Sequence, residues 1–224
     1  MIDNITAFLR DYNDIFGVIA MSLYVSLSST VIASSIGLVL GIPAGLKVFK
    51  FKRQLISVSS TLMSLPPVLM GLLVYMLLSR RGPLGKFELL FTPAAMIIAQ
   101  TLLVLPIVFT LTVSVISKSG LEVQKTCISL GASRKDTFRM VLKECRVQLL
   151  SVITTGFGRA ISEVGAVMMV GGNIKGHTRV MTTYIALETG KGNYAQAAAI
   201  GIILLIISFA INGMLSKFKG REDI

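Results

Sequence analysis

Arg159 and Glu163 stand four residues apart inside an apolar stretch, Val147 to Asn173, and no other Asp, Glu, Lys or Arg falls within any of the chain's long apolar stretches. Carrying an ionisable side chain into hydrocarbon costs at least about 2.5 kcal/mol, so both must face protein or water. A guanidinium held along a low-dielectric passage attracts an anion, and a carboxylate one helical turn on limits how tightly that anion is held. The same spacing lets the two side chains reach each other on one helix face, and a self-satisfied pair that fixes helix packing is the plainer account. Met168 and Met169 follow, then the Gly171-Gly172 break and Asn173. Flexible thioethers there suit a compressible hydrophobic constriction, as they also suit ordinary lipid or core contact.

Little else in the chain has the makings of a reactive centre. No Walker A pattern, Gly-rich dinucleotide loop or paired-carboxylate constellation occurs. Cys127 and Cys145 lack the spacing and His partners of a metal site, and their connector is expected to face a reducing compartment, so they are structural thiols. His177 lies beside Gly176 on an expected outer loop, where a lone imidazole is solvated rather than liganded. The chain is expected to be no enzyme and to hold no metal or cofactor of its own.

The elements that must position Arg159 and Glu163 are visible as hydropathy. Five apolar stretches, about 15–46, 55–79, 89–117, 147–173 and 192–216, are separated by basic connectors. Each exceeds the roughly 20 residues that carry a helix across a bilayer core, and only helices satisfy their own backbone there. The expectation is an all-α polytopic transmembrane bundle of five helices, or six, forming one integral domain over 1–224, with a mean hydropathy of +0.77. The net charge of +11 then reports topology in lipid rather than contact with nucleic acid. With the N-terminus outside, inner segments hold fourteen Lys and Arg against seven in outer ones, which orients the chain N-terminus out and C-terminus in across the cytoplasmic membrane. Asp3, Asp11 and Asp14 stand where a basic n-region would be, so no cleavable signal peptide is expected.

Ala33, Gly37, Gly41 and Gly45 recur every four residues and form a stripe on which another helix backbone can pack closely. Pro66, Pro67, Pro93 and Pro106 are expected to break or kink the second and third helices, and Pro43 to bend the first. The longest inner connector, 118–146, predicts two short helices. The first, about Leu121 to Leu130, stops at Gly131; Ser133 caps the second with Asp136 three residues on, and Phe138, Val141 and Leu142 give it an apolar face. Such an elbow can dock into a groove on another protein or lie on anionic lipid. On the outer side Val180, Met181, Tyr184, Ile185 and Glu188 recur at helical spacing, predicting a surface helix between Thr178 and Gly190 that receives a partner or packs on the bundle mouth.

Ser129-Leu130-Gly131-Ala132-Ser133, with Val141 ten residues after the Gly, resembles the cytoplasmic coupling loop of permease subunits of binding-protein-dependent ABC importers. The Glu-Ala-Ala triplet and Leu-Pro pair of that loop are replaced here by Lys125-Thr126-Cys127 and Lys143-Glu144. Gly158-Arg159-Ala160-Ile161-Ser162-Glu163-Val164-Gly165-Ala166, then Gly171-Gly172-Asn173-Ile174, resembles molybdate and tungstate permeases, closest to the tungstate-type branch. The resemblance implies a homodimeric channel, two cytoplasmic ATPase subunits that bind ATP and Mg, and an external oxyanion-binding protein. It implies contact with the ATPase through Leu130, Gly131, Ala132, Ser133, Arg134 and Phe138, and a pathway or gate at Arg159, Glu163, Met168, Met169 and Asn173. Molybdate import is the near alternative. A stand-alone channel or ion-coupled transporter is the distant one, and predicts activity without a nucleotide-hydrolysing partner.

Overall fold

The computed structural model describes residues 2–47 and 50–217, and side chains within 14–47 and 50–214. Lys219 and Arg221, counted among the inner charges, lie outside the described residues. Among the described residues the regular structure is helical: α1 Ile2–Leu46, α2 Lys52–Met63, α3 Pro67–Leu78, α4 Pro93–Val115, α5 Leu121–Ser129, α6 Arg134–Ile161, α7 Gly165–Gly171, α8 Met181–Gly190 and α9 Tyr194–Lys217.

Three helical segments are long and apolar enough to cross a bilayer, Asp14–Leu46, Pro93–Ser129 and Tyr194–Met214, or four when α2 and α3 count as one broken span. Five were expected. The second stretch divides because Pro66 and Pro67 follow one another. Neither has an N–H to donate, Pro66 is extended at ψ 129°, and Pro67 opens α3 as its first residue. The fourth stretch divides at Ser162–Val164, which leaves a short α7 and an α6 whose first half carries the charges of the preceding connector. Pro106, by contrast, lies within an unbroken α4, and Pro43 within α1.

The chain packs as two compact units. Of the described residues, one takes α1 through Ser29 with Pro66–Gln100 and Ala160–Phe209; the other takes those within 30–65, 101–159 and 210–217. In the second unit the small-residue stripe does what its spacing predicts. A Cβ built on Gly37 would lie 2.7 Å from Val108, on Gly41 2.9 Å from Thr112, and on Gly45 2.6 Å from Ile116, so α1 and α4 meet at backbone distance. Below this seam Ile42, Ile116, Val141, Cys145 and Leu149 form a buried cluster. The connector 118–146 departs from expectation in one respect: its helices are not free-standing. A π-helical turn, Ile116–Gly120, carries α4 straight into α5, and the second helix is the start of the 28-residue α6.

In the first unit Val18, Met181 and Ile200 make the apolar centre. A polar seam runs beside it. Ser22 Oγ donates to the Val18 carbonyl and accepts the Met181 N–H at 2.7 Å, and Ser29 Oγ donates to Gln100 Oε1 at 2.9 Å. With no water in hydrocarbon, these hydroxyls are satisfied within the protein. The short α7 lies on α3, where Gly71 leaves room for Ala166 and Val68 sits over Gly165.

Candidate functional site

The break after α6 is held by side chains from distant parts of the chain. A helix end leaves carbonyls without intrahelical donors. The Ala160 carbonyl receives Gln100 Nε2 at 3.0 Å and the Glu163 N–H at 3.2 Å, so α6 can stop at Ile161 inside the protein. Gln100 is buried at 3% exposure, and so is Glu163. Glu163 Oε1 accepts the Ala166 N–H at 3.0 Å, which satisfies a donor in the first turn of α7. The Glu163 carbonyl accepts Thr182 Oγ1 at 2.8 Å, tying the break to α8.

Beyond α7 the chain reverses through two left-handed residues, Gly172 at φ 70° and Asn173 at φ 52°. A Cβ at Gly172 would meet the Phe91 ring at 2.8 Å, and the Phe91 N–H donates to the Val170 carbonyl at 2.9 Å. Asn173 tolerates the left-handed region better than most residues, and its side chain makes three hydrogen bonds. Oδ1 accepts Arg179 Nε at 3.2 Å and Thr183 Oγ1 at 3.0 Å, and Nδ2 donates to the Thr183 carbonyl at 3.3 Å. Arg179 also stacks 5.3 Å over the Tyr184 ring. Thr178 Oγ1 donates to the Gly171 carbonyl and accepts the Ile174 N–H, closing the turn from inside. His177 is exposed there.

Glu163 and Asn173 belong to one hydrogen-bonded framework around α7 and α8. Met168 is exposed and Met169 half-buried on α7. Arg159 is half-buried in the last turn of α6, where a cation suits the helix dipole. The expectation that Arg159 and Glu163 share one helix face is corrected: α6 ends at Ile161, so Glu163 stands beyond it. The helix expected between Thr178 and Gly190 occurs as α8, with Val180, Met181 and Glu188 buried and Tyr184 and Ile185 half-buried. Its apolar side packs into the bundle.

The elbow is built from local rules. Gly131 has φ 75°; the Ala132 N–H donates to the Cys127 carbonyl at 2.9 Å and the Gly131 N–H to the Ile128 carbonyl at 3.0 Å, the paired bonds of a Schellman stop. Ser133 Oγ accepts the Asp136 N–H at 3.2 Å and donates to Asp136 Oδ2 at 2.6 Å, starting α6. The expected apolar face divides. Val141 is fully buried in the core, whereas Leu130 is 80% exposed, with Ile128 and Phe138 exposed beside it. A groove of roughly 500 Å³ opens here, lined by Leu46, Gln124, Ile128, Ala132, Arg134 and Phe138.

Sequence reasoning missed Gln100, Thr182, Thr183 and Arg179. Gln100 had a signal, being the one Gln in the third apolar stretch. The threonines had none, since a hydroxyl that bridges two elements looks the same in sequence as one that returns to its own helix.

A run of apolar helices, a buried carboxylate at a broken span and an exposed helix-turn-helix together mark a membrane component of a transport machine. Residues 37–221 match the family described as the binding-protein-dependent transport system inner membrane component, and the chain belongs to that family. It is 48% identical over 205 residues to the tungstate uptake system permease protein TupB of Peptoclostridium acidaminophilum, covering 92% of this chain and 90% of the relative. It is 39% identical over 207 residues to a probable anion ABC transporter permease protein of Haloferax volcanii, covering 90% and 89%. TupB of Campylobacter jejuni is 41% identical over 174 residues, covering 76% and 72%.

Proposed function

We propose that this chain is the permease subunit of an ATP-driven importer of tungstate, working as a homodimer with a cytoplasmic ATPase and an external oxyanion-binding protein. The observation that carries this is the 48% identity, across nearly the whole of both chains, to a permease named for tungstate uptake. The N-terminus lies outside and the C-terminus inside, with lipid around the bundle. Leu130, Gly131, Ala132, Ser133, Arg134 and Phe138 meet the ATPase. Two Arg159 side chains, one per copy, face the passage of a dianion, and Met168 and Met169 narrow it. Glu163 and Asn173 hold the gate helix α7 at its two ends. ATP is bound and hydrolysed by the partner, and since binding shifts an equilibrium only through differential affinity, the ATPase must hold one state of the permease better than the other.

The test is ATP hydrolysis by the complex reconstituted in liposomes with tungstate-loaded, molybdate-loaded and empty binding protein. Stimulation by the tungstate-loaded form alone is the expected result. Equal stimulation by molybdate removes the assignment of substrate. Anion flux through this chain without any ATPase removes the importer.

A further inference from the structure

We propose that Lys52 and Ser117 form a joint that ties the end of α1 to the helix leading into the elbow, with Lys52 a positioning residue for coupling; this rests on the reading that the elbow receives the ATPase.

Lys52 is in the wrong place for its own helix. It is the first residue of α2, whose first turn has no acidic residue, and a cation at a helix N-terminus opposes the dipole. α1, conversely, has no basic residue in its last turn to meet its unmatched carbonyls. The Lys52 side chain answers that lack. Its Nζ donates to the Gly45 carbonyl at 2.9 Å, the Lys47 carbonyl at 3.2 Å and Ser117 Oγ at 3.2 Å, which uses all three ammonium protons. Ser117 Oγ in turn donates to the Gly45 carbonyl at 3.2 Å, closing a ring of Lys52, Ser117 and Gly45.

Ser117 lies in the π-helical turn Ile116–Gly120 between α4 and α5. Single π turns interrupt the regular helical register and often mark functional sites. This one is gripped from two sides. A Cβ on Gly45 would lie 2.6 Å from the Ile116 Cβ, so α1 and the turn pack at backbone distance. A Cβ on Gly120 would lie 3.2 Å from Val141 of α6. The turn thus touches both helices that frame the elbow, and the Lys52 ring connects it to α1. A displacement of the elbow reaches α1 through that ring; without it, only apolar contacts, which tolerate sliding, remain.

The experiment is hydrogen exchange on the full chain in lipid nanodiscs, with and without its ATPase subunit, for wild type, Lys52→Met and the milder Ser117→Ala. In wild type the ATPase is expected to slow exchange in 121–132 and also in 42–47, each by about five- to tenfold, the usual scale of coupling between sites. In both variants slowing of 121–132 persists, while that of 42–47 falls below about twofold. Undiminished slowing of 42–47 in both variants overturns the joint and leaves elbow docking standing. Absence of slowing in 121–132 of wild type overturns elbow docking, and the joint with it. If Lys52→Met does not fold, Ser117→Ala decides by the same readout.

Discussion

Glu163 works through separate atoms: a carboxylate oxygen accepts the Ala166 N–H and the backbone carbonyl accepts Thr182. Glutamine keeps an acceptor oxygen, whereas leucine removes it. Glu163→Leu should therefore lower stability by about 1–3 kcal/mol, the cost of leaving a buried donor unmatched, and Glu163→Gln by much less, as read from thermal unfolding in detergent. Equal losses in the two variants would mean that the acceptor oxygen is not what holds α7. Glu188 gives a pH-dependent counterpart on α8. Hydrogen bonds from Lys191 Nζ and Asn193 Nδ2 hold its carboxyl below the ordinary value of 4.5. A group with a depressed folded pKa contributes stability that is present above the unfolded value and lost as pH falls through the folded one. Wild type should thus lose stability on acidification below about pH 4.5 more steeply than Glu188→Gln. Parallel pH profiles would exclude this role.

At the scale of elements, the seam between α1 and α4 sets two effects of a glycine substitution against each other. Alanine at Gly17 meets nothing within 4 Å, so only the helix propensity gain of about 1 kcal/mol acts and the variant should be as stable as wild type or more so. Alanine at Gly41 gains the same propensity but places a methyl 2.9 Å from the branched Cβ of Thr112. Overpacking of that kind costs about 1–3 kcal/mol, so the net effect should be a lower melting temperature. A Gly41→Ala protein that melts above wild type would show that α1 and α4 are not in contact there. This seam and the elbow were readable because their causes are local: a four-residue period, a Gly at a helix stop, a Ser with Asp three residues on. The break at Ser162–Val164 was not. A shared helix face for Arg159 and Glu163 presupposes a continuous helix, and the carbonyls freed where it stops are met by Gln100, 60 residues from Ala160, and by Thr182, 19 residues from Glu163. The continuity of α4 into α5 was hidden for a related reason. Lys118 looks like the start of a loop in sequence, yet the π turn that contains it is packed between α1 and α6.

At the scale of the whole molecule, α9 presents Ile202, Leu205, Ile206, Phe209 and Met214 outward, and α3 presents Val68, Leu69, Leu72, Leu73 and Met76. In a membrane such faces are covered by lipid or by a second copy. A closed two-fold dimer brings the same face of each copy to its axis, so every residue at that axis occurs twice. If the anion passes between two Arg159 side chains, the dimer carries a paired charge that neither copy has alone. A dianion is then held by two guanidiniums in the passage and by one in a mixed dimer. Arg159→Gln is expected to leave assembly intact and abolish uptake, because a half-buried position at the end of α6 accommodates the shorter amide without repacking the core. Co-expression of equal amounts of wild-type and Arg159→Gln chains separates the possibilities by number. Random pairing gives about a quarter wild-type homodimers, so tungstate uptake should fall to about a quarter when both arginines are needed, and to about a half when each copy conducts alone. Uptake by purified mixed dimers, isolated with two different affinity tags, checks the same point directly. Wild-type rates in those mixed dimers would place the anion's path away from Arg159 and return that residue to a packing role.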